Sequence, residues 1–139
     1  MTGRVTGRVR GAAVAVVLAA TVGACGTVSE RRDDVREATR AFQQHLADGA
    51  YDRVCAALAP GTVEELEHSA GSPCAEALGE EAPPRGGALR GVDVYGNQAR
   101  AVLATDTLFL SRFDSGWKIV AAGCTERPGQ PYRCRIKGG

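Results

Sequence analysis

Residues able to do chemistry are sparse in this 139-residue chain, and the first set is sulfur: Cys25, Cys55, Cys74, Cys124 and Cys134. Five is an odd number, so in an oxidising compartment pairwise closure leaves one thiol for another fate. The gaps of 18 residues from Cys55 to Cys74 and nine from Cys124 to Cys134 do not fit the short Cys-x(2–4)-Cys pairs of zinc sites. No metal and no cofactor is expected. The second set titrates: His45, His68, Asp52, Asp93 and Asp106. A general base needs a partner within hydrogen-bond reach inside a pocket. His68 lies among Glu64, Glu65 and Glu67 and is expected in solvent, whereas His45 borders a helical stripe. Asp52 suits the positive end of a helix, and Asp106 falls between two strand patterns as a turn residue. No catalytic residue is assigned. The third set is aromatic. Phe42, Tyr51, Phe109 and Trp117 are candidates for lining an apolar pocket, but with seven aromatics in all they are first needed as core anchors.

The N-terminal stretch decides the fate of the odd cysteine. Arg4, Arg8 and Arg10 precede an apolar run of eleven residues, 12–22, which is far short of the roughly 20 needed for a membrane-spanning helix. A basic segment, a short apolar segment and small residues make a secretory signal. Val22-Gly23-Ala24-Cys25 resembles a bacterial lipobox. That resemblance implies cleavage after residue 24, a diacylglycerol thioether on Cys25 and acylation of its new amino group. Four cysteines then remain for disulfides, which persist outside the cytoplasm. Three pairings are open, and the sequential one, Cys55 with Cys74 and Cys124 with Cys134, is favoured, each ring stabilising by roughly 3 kcal/mol.

The elements that must position these residues follow from periodicity. Residues 25–28 form the lipidated terminus and a tether of roughly 10 Å at full extension, and residues 29–139 form a single domain. Val35, Ala38, Phe42 and Leu46 predict a first helix from about Ser29, stopped at Asp48-Gly49. Tyr51, Val54, Cys55 and Leu58 predict a second, ended by Pro60-Gly61. Thr62 to Glu65 reads as a capping box for a third short helix carrying Leu66. Ser72 as N-cap and Pro73 at the first helical position start a fourth, holding Cys74 and Leu78. A loop over 79–87 leads to strands at 89–95, 99–104, 107–113, 117–124 and 132–137, the last after a loop at 125–131. Helices first and strands afterwards predict an α+β fold, with the N-terminal helices packed on a curved antiparallel sheet and two disulfides.

Gly49-Ala50-Tyr51 opening the second helix, and a hairpin ending Gly116-Trp117-Lys118-Ile119-Val120, resemble the nuclear transport factor two-like, or SnoaL-like (cystatin-like), cone fold over about residues 29–124. The ending Ala121-Ala122-Gly123-Cys124 with Pro131-Tyr132-Arg133-Cys134 is similar to a group of small secreted bacterial lipoproteins of unassigned activity. Enzymes of the superfamily place Asp, His or Tyr in an apolar cavity, and no such constellation matches here position by position.

Charge completes the reading. Without Arg4, Arg8 and Arg10, 14 basic residues face 16 acidic ones, a net charge of −2 that excludes nucleic acid as a partner. Glu64, Glu65, Glu67, Glu76, Glu80 and Glu81 should make one end acidic, and the C-terminal arginines and lysines should make the other basic. Arg133, Arg135 and Lys137 alternate along a strand and share one face, either as an edge guarded by charge or as a contact for anionic lipid or wall polymer. The function that emerges is a lipid-anchored module on the outer face of the cytoplasmic membrane, non-catalytic, binding or accessory, with an envelope protein as a further partner. The alternatives are a small SnoaL-like enzyme acting on an apolar molecule in the cone cavity, and a purely structural envelope protein.

Overall fold

The computed structural model describes residues 2–3 and 26–138. The expected signal segment, apart from Thr2 and Gly3, and Cys25, the expected site of lipidation, lie outside the described residues. Four helices, α1 (Val28–Ala47), α2 (Tyr51–Ala57), α3 (Pro60–Ala70) and α4 (Cys74–Glu81), precede five strands, β1 (Leu89–Tyr95), β2 (Gln98–Leu103), β3 (Thr107–Phe113), β4 (Gly116–Arg127) and β5 (Gln130–Lys137). The strands form one antiparallel sheet in chain order. The α+β class is as the periodicity predicts.

α1 starts at a capping box in which the Thr27 hydroxyl accepts from the Glu30 N–H and the Glu30 carboxylate accepts from the Thr27 N–H. Two orphan donors of the first turn are thereby satisfied. Its end is a Schellman arrangement: the Ala50 N–H bonds the His45 carbonyl at 3.0 Å, and Gly49 takes the left-handed conformation at φ 65°. The buried stripe of α1 is Val35, Thr39, Phe42 and Gln43, so two polar residues sit where an apolar pattern would place none. Phe42 is fully buried and contributes about 1.5–3 kcal/mol by leaving water. One core cluster joins Val35 and Phe42 of α1, Val54 of α2 and Leu78 of α4 with Ala101, Leu108, Leu110 and Ile119 of the sheet.

Five local expectations are corrected. Leu58 is extended rather than helical, because it bridges Ile119 in parallel while the Ala59 N–H donates to the Ile119 carbonyl at 2.8 Å. Pro60 begins α3 instead of ending α2, as its fixed φ and missing N–H allow at the first helical position. Thr62 is consequently inside the helix, and its hydroxyl donates to the Val120 carbonyl rather than capping anything. Ser72 is no cap either: the N–H of Cys74 donates to the Glu67 carboxylate of α3 at 3.0 Å. The loop expected at 125–131 contracts to a tight turn at Pro128-Gly129, with Gly129 at φ 67°, and Pro131 is tolerated because β5 is an edge strand.

Two disulfides close the four cysteines in the favoured order. Cys55–Cys74 ties α2 to α4 with Cα atoms 6.1 Å apart. Cys124–Cys134 joins directly opposed residues of β4 and β5 with Cα atoms 3.9 Å apart. β4 carries a bulge at Val120, since Phe109 faces Ala121 while Leu110 faces Ile119. The bulge changes the alternation, so buried positions run Trp117, Ile119, Ala121 and then Ala122, Cys124. Along its margin the Val120 carbonyl accepts from the N–H of Gly138 and from Thr62.

Candidate functional site

Asp106 has the most hydrogen bonds of the candidate carboxylates among the described residues. Its Oδ1 accepts from the N–H of Thr107 at 2.6 Å and of Cys124 at 2.8 Å, and its Oδ2 accepts from the N–H of Gly123 at 3.1 Å. The β3 ladder ends where this carboxylate begins, so Asp106 continues the pairing of β4 with a side chain. Three charge-assisted bonds to main-chain donors make a clamp. Asp93 pairs with Arg100 across β1 and β2 at 2.7 Å. Its hydrogen bond outweighs slight desolvation and raises the Arg100 guanidinium above its ordinary pKa, with a smaller contribution from Tyr132. Asp52 is exposed in the first turn of α2, and His68 is exposed on α3.

The four aromatic candidates are not brought together. Phe42 is core, Tyr51 packs partly buried against that core, and Phe109 stacks edge-on against Tyr132 with centroids 5.1 Å apart. Trp117 lines an open groove of about 320 Å³ between α1, α2 and the start of β4, with Ala38, Ala41, His45, Ala57 and Ile119. Arg53 and Lys118 stand at this groove too, and the Lys118 ammonium donates to the Ala56 carbonyl at 2.7 Å. The indole N–H of Trp117 is buried without a partner. The groove therefore offers an apolar floor, one imidazole and two cations, an arrangement suited to binding an apolar body with a polar end.

The C-terminal hairpin carries a positive surface. Arg133, Arg135 and Lys137 are all exposed, while Ile136 between them is buried. The hairpin adds Arg127, which the sequence places at the basic end but not on the strand face: Arg127, Arg133 and Arg135 line one depression of about 540 Å³. The signal was the Pro128-Gly129 turn, which folds residue 127 back onto β5. Arg127 donates to the Pro131 carbonyl at 3.1 Å. Gly123 is required beneath this face. It has φ 65°, and a Cβ there would stand 3.0 Å from Arg135 Cβ.

The expected separation of an acidic end from a basic one is broken at Glu65. Glu65 of α3 lines a small depression together with Arg135 and Lys137. The return of the chain at Gly138 brings β5 beside Thr62, so the Glu65 carboxylate lies near basic residues and partly offsets them.

Among the described residues no helix is long and apolar enough to cross a membrane, and no cluster of His, Cys, Asp or Glu could hold a metal ion. No protein-family model matches this chain, and neither a curated protein nor a solved structure matches it.

Proposed function

We propose that this chain is a lipid-anchored extracytoplasmic binding module, held by Cys25 on the outer face of the cytoplasmic membrane. Its N-terminal helices would cover a curved sheet of the nuclear transport factor two-like, cone-shaped kind. The observation that carries the reading is the pairing of Cys55 with Cys74 and of Cys124 with Cys134, which leaves Cys25 as the remaining sulfur of five. Disulfides of this sort persist in oxidising compartments, and Cys25 follows the apolar segment and the small residues that a lipidating enzyme would read. The anchored domain presents Arg127, Arg133 and Arg135 for contact with anionic head groups or wall polymers, an attraction that salt weakens.

The test is intact-mass measurement and detergent-phase partitioning of the exported chain beside its Cys25→Ser variant. The native chain is expected to begin at residue 25, carry the mass of a diacylglycerol and enter the detergent phase, with the variant unprocessed or aqueous. A free thiol at residue 25 on an exported chain overturns the reading.

A further inference from the structure

Successive helical residues turn by 100°, so Thr39 and Gln43 lie on the flank of α1 opposite Ala38, Ala41 and His45. There a cleft of about 360 Å³ opens between α1 and the chain leading into β1, lined by Thr39, Arg40, Gln43, Arg85, Gly87 and Leu103 among others. Thr39 is 1% and Gln43 7% exposed. Gln43 Oε1 accepts from the buried N–H of Gly86 at 2.7 Å. This bond fixes the amide orientation, because only the oxygen can accept from an N–H. Gln43 Nε2, at the other end of the amide, is buried with no partner.

The same is true of Thr39 Oγ1. A threonine inside a helix commonly returns its hydroxyl to the carbonyl one turn back, and Thr39 makes no such bond. Two residues that line a single cleft thus each carry a buried, unsatisfied polar group, one a donor and one able to donate. Arg40 and Arg85 are exposed at its rim, and among the described residues the ion pairs are Arg36–Asp33 and Arg100–Asp93, so neither rim arginine is in one. The lining contains no carboxylate, and Leu89 and Leu103 give it an apolar wall.

We propose that this cleft binds a small molecule bearing an oxyanion, a carboxylate or phosphate, with Gln43 Nε2 and Thr39 Oγ1 donating at its floor and Arg40 and Arg85 closing over its mouth. Donors without acceptors and cations without anions specify a negatively charged acceptor. The apolar wall favours an organic anion over a bare ion. This site is separate from the arginines of the β4–β5 hairpin and does not depend on the lipid anchor.

The test is a titration of the full ¹⁵N-labelled chain in mild detergent with hexanoate and, separately, inorganic phosphate, followed at the Gln43 side-chain amide. A saturable shift is expected, tightest with hexanoate if the source is a carboxylate and with phosphate if it is a phosphate ester. Arg40→Gln with Arg85→Gln is expected to weaken it about tenfold or more, and Arg133→Gln with Arg135→Gln to leave it unchanged. Gln43→Glu keeps an oxygen for the Gly86 N–H but removes the donor; followed at the backbone amides of Thr39 and Gly86, which shift with the native chain, it should show no saturable shift. Absence of a saturable shift with both anions, persistence of full affinity in the Arg40/Arg85 variant, or loss in the hairpin variant would overturn the proposal.

Discussion

Asp106 and the Thr39–Gln43 pair are both polar side chains drawn into the fold, yet they stand at opposite ends of hydrogen-bond satisfaction. The Asp106 carboxylate receives three main-chain N–H groups. Gln43 has one end of its amide occupied and the other empty, and the Thr39 hydroxyl has no partner. Gly86 links the two regions: its N–H goes to Gln43, its carbonyl accepts from Thr105 at 2.9 Å, and a Cβ on it would stand 2.7 Å from Asp106 Cβ. One region is therefore finished scaffold and the other retains binding capacity, although a single glycine joins them. A polar residue with every partner supplied by its own chain holds structure, whereas one with spare donors has something left to offer a ligand.

Stability measurements can break this contrast. Asp106→Ala is expected to have the largest effect, about 3 kcal/mol or more by urea denaturation, because the N–H groups of Thr107, Gly123 and Cys124 lose their acceptor together. A loss below about 1 kcal/mol would mean that water replaces the carboxylate and that no clamp exists. Thr39→Val should act in the opposite direction. Removing an unsatisfied buried hydroxyl at nearly constant volume is expected to raise stability by up to about 1 kcal/mol, and a clear destabilisation would show that Thr39 has a partner after all. Asp93→Asn sharpens the scale as the exposed case. With side chains 43% and 37% exposed, the Asp93–Arg100 pair should matter by about 0.5 kcal/mol at most, and less in high salt.

Much of the architecture was legible because it rests on apolar periodicity. Val35, Phe42, Val54 and Leu78 announce helices, and the bounds of β1 and β3 coincide with their apolar runs. The capping box at Thr27 and Glu30 was equally open to reading, though its Thr27 falls in the expected tether, residues 25–28. What stayed hidden depends on partners distant in the chain. Thr62 has the spacing of an N-cap, but its hydroxyl is taken by Val120, 58 residues away. Asp106 reads as a turn residue, and nothing nearby reveals that its acceptors serve Gly123 and Cys124. Thr39 and Gln43 are the hardest case, since polar residues on a helix signal a solvated face unless the loop that buries them is known. The Arg133, Arg135 and Lys137 alternation could be read from spacing alone, whereas the proximity of Glu65 could not, because it follows from how α3 meets β5.

The strip of chain from Leu58 to Thr62 beside β4 has a consequence for molecules gathered at high density. An uncovered strand margin offers bare amides and carbonyls on which an extended segment of a neighbour can zip, the first step toward a fibril. Here the carbonyls of Ile119 and Val120 are already occupied from within the same molecule. Copies crowded side by side on a surface therefore find no template at this border.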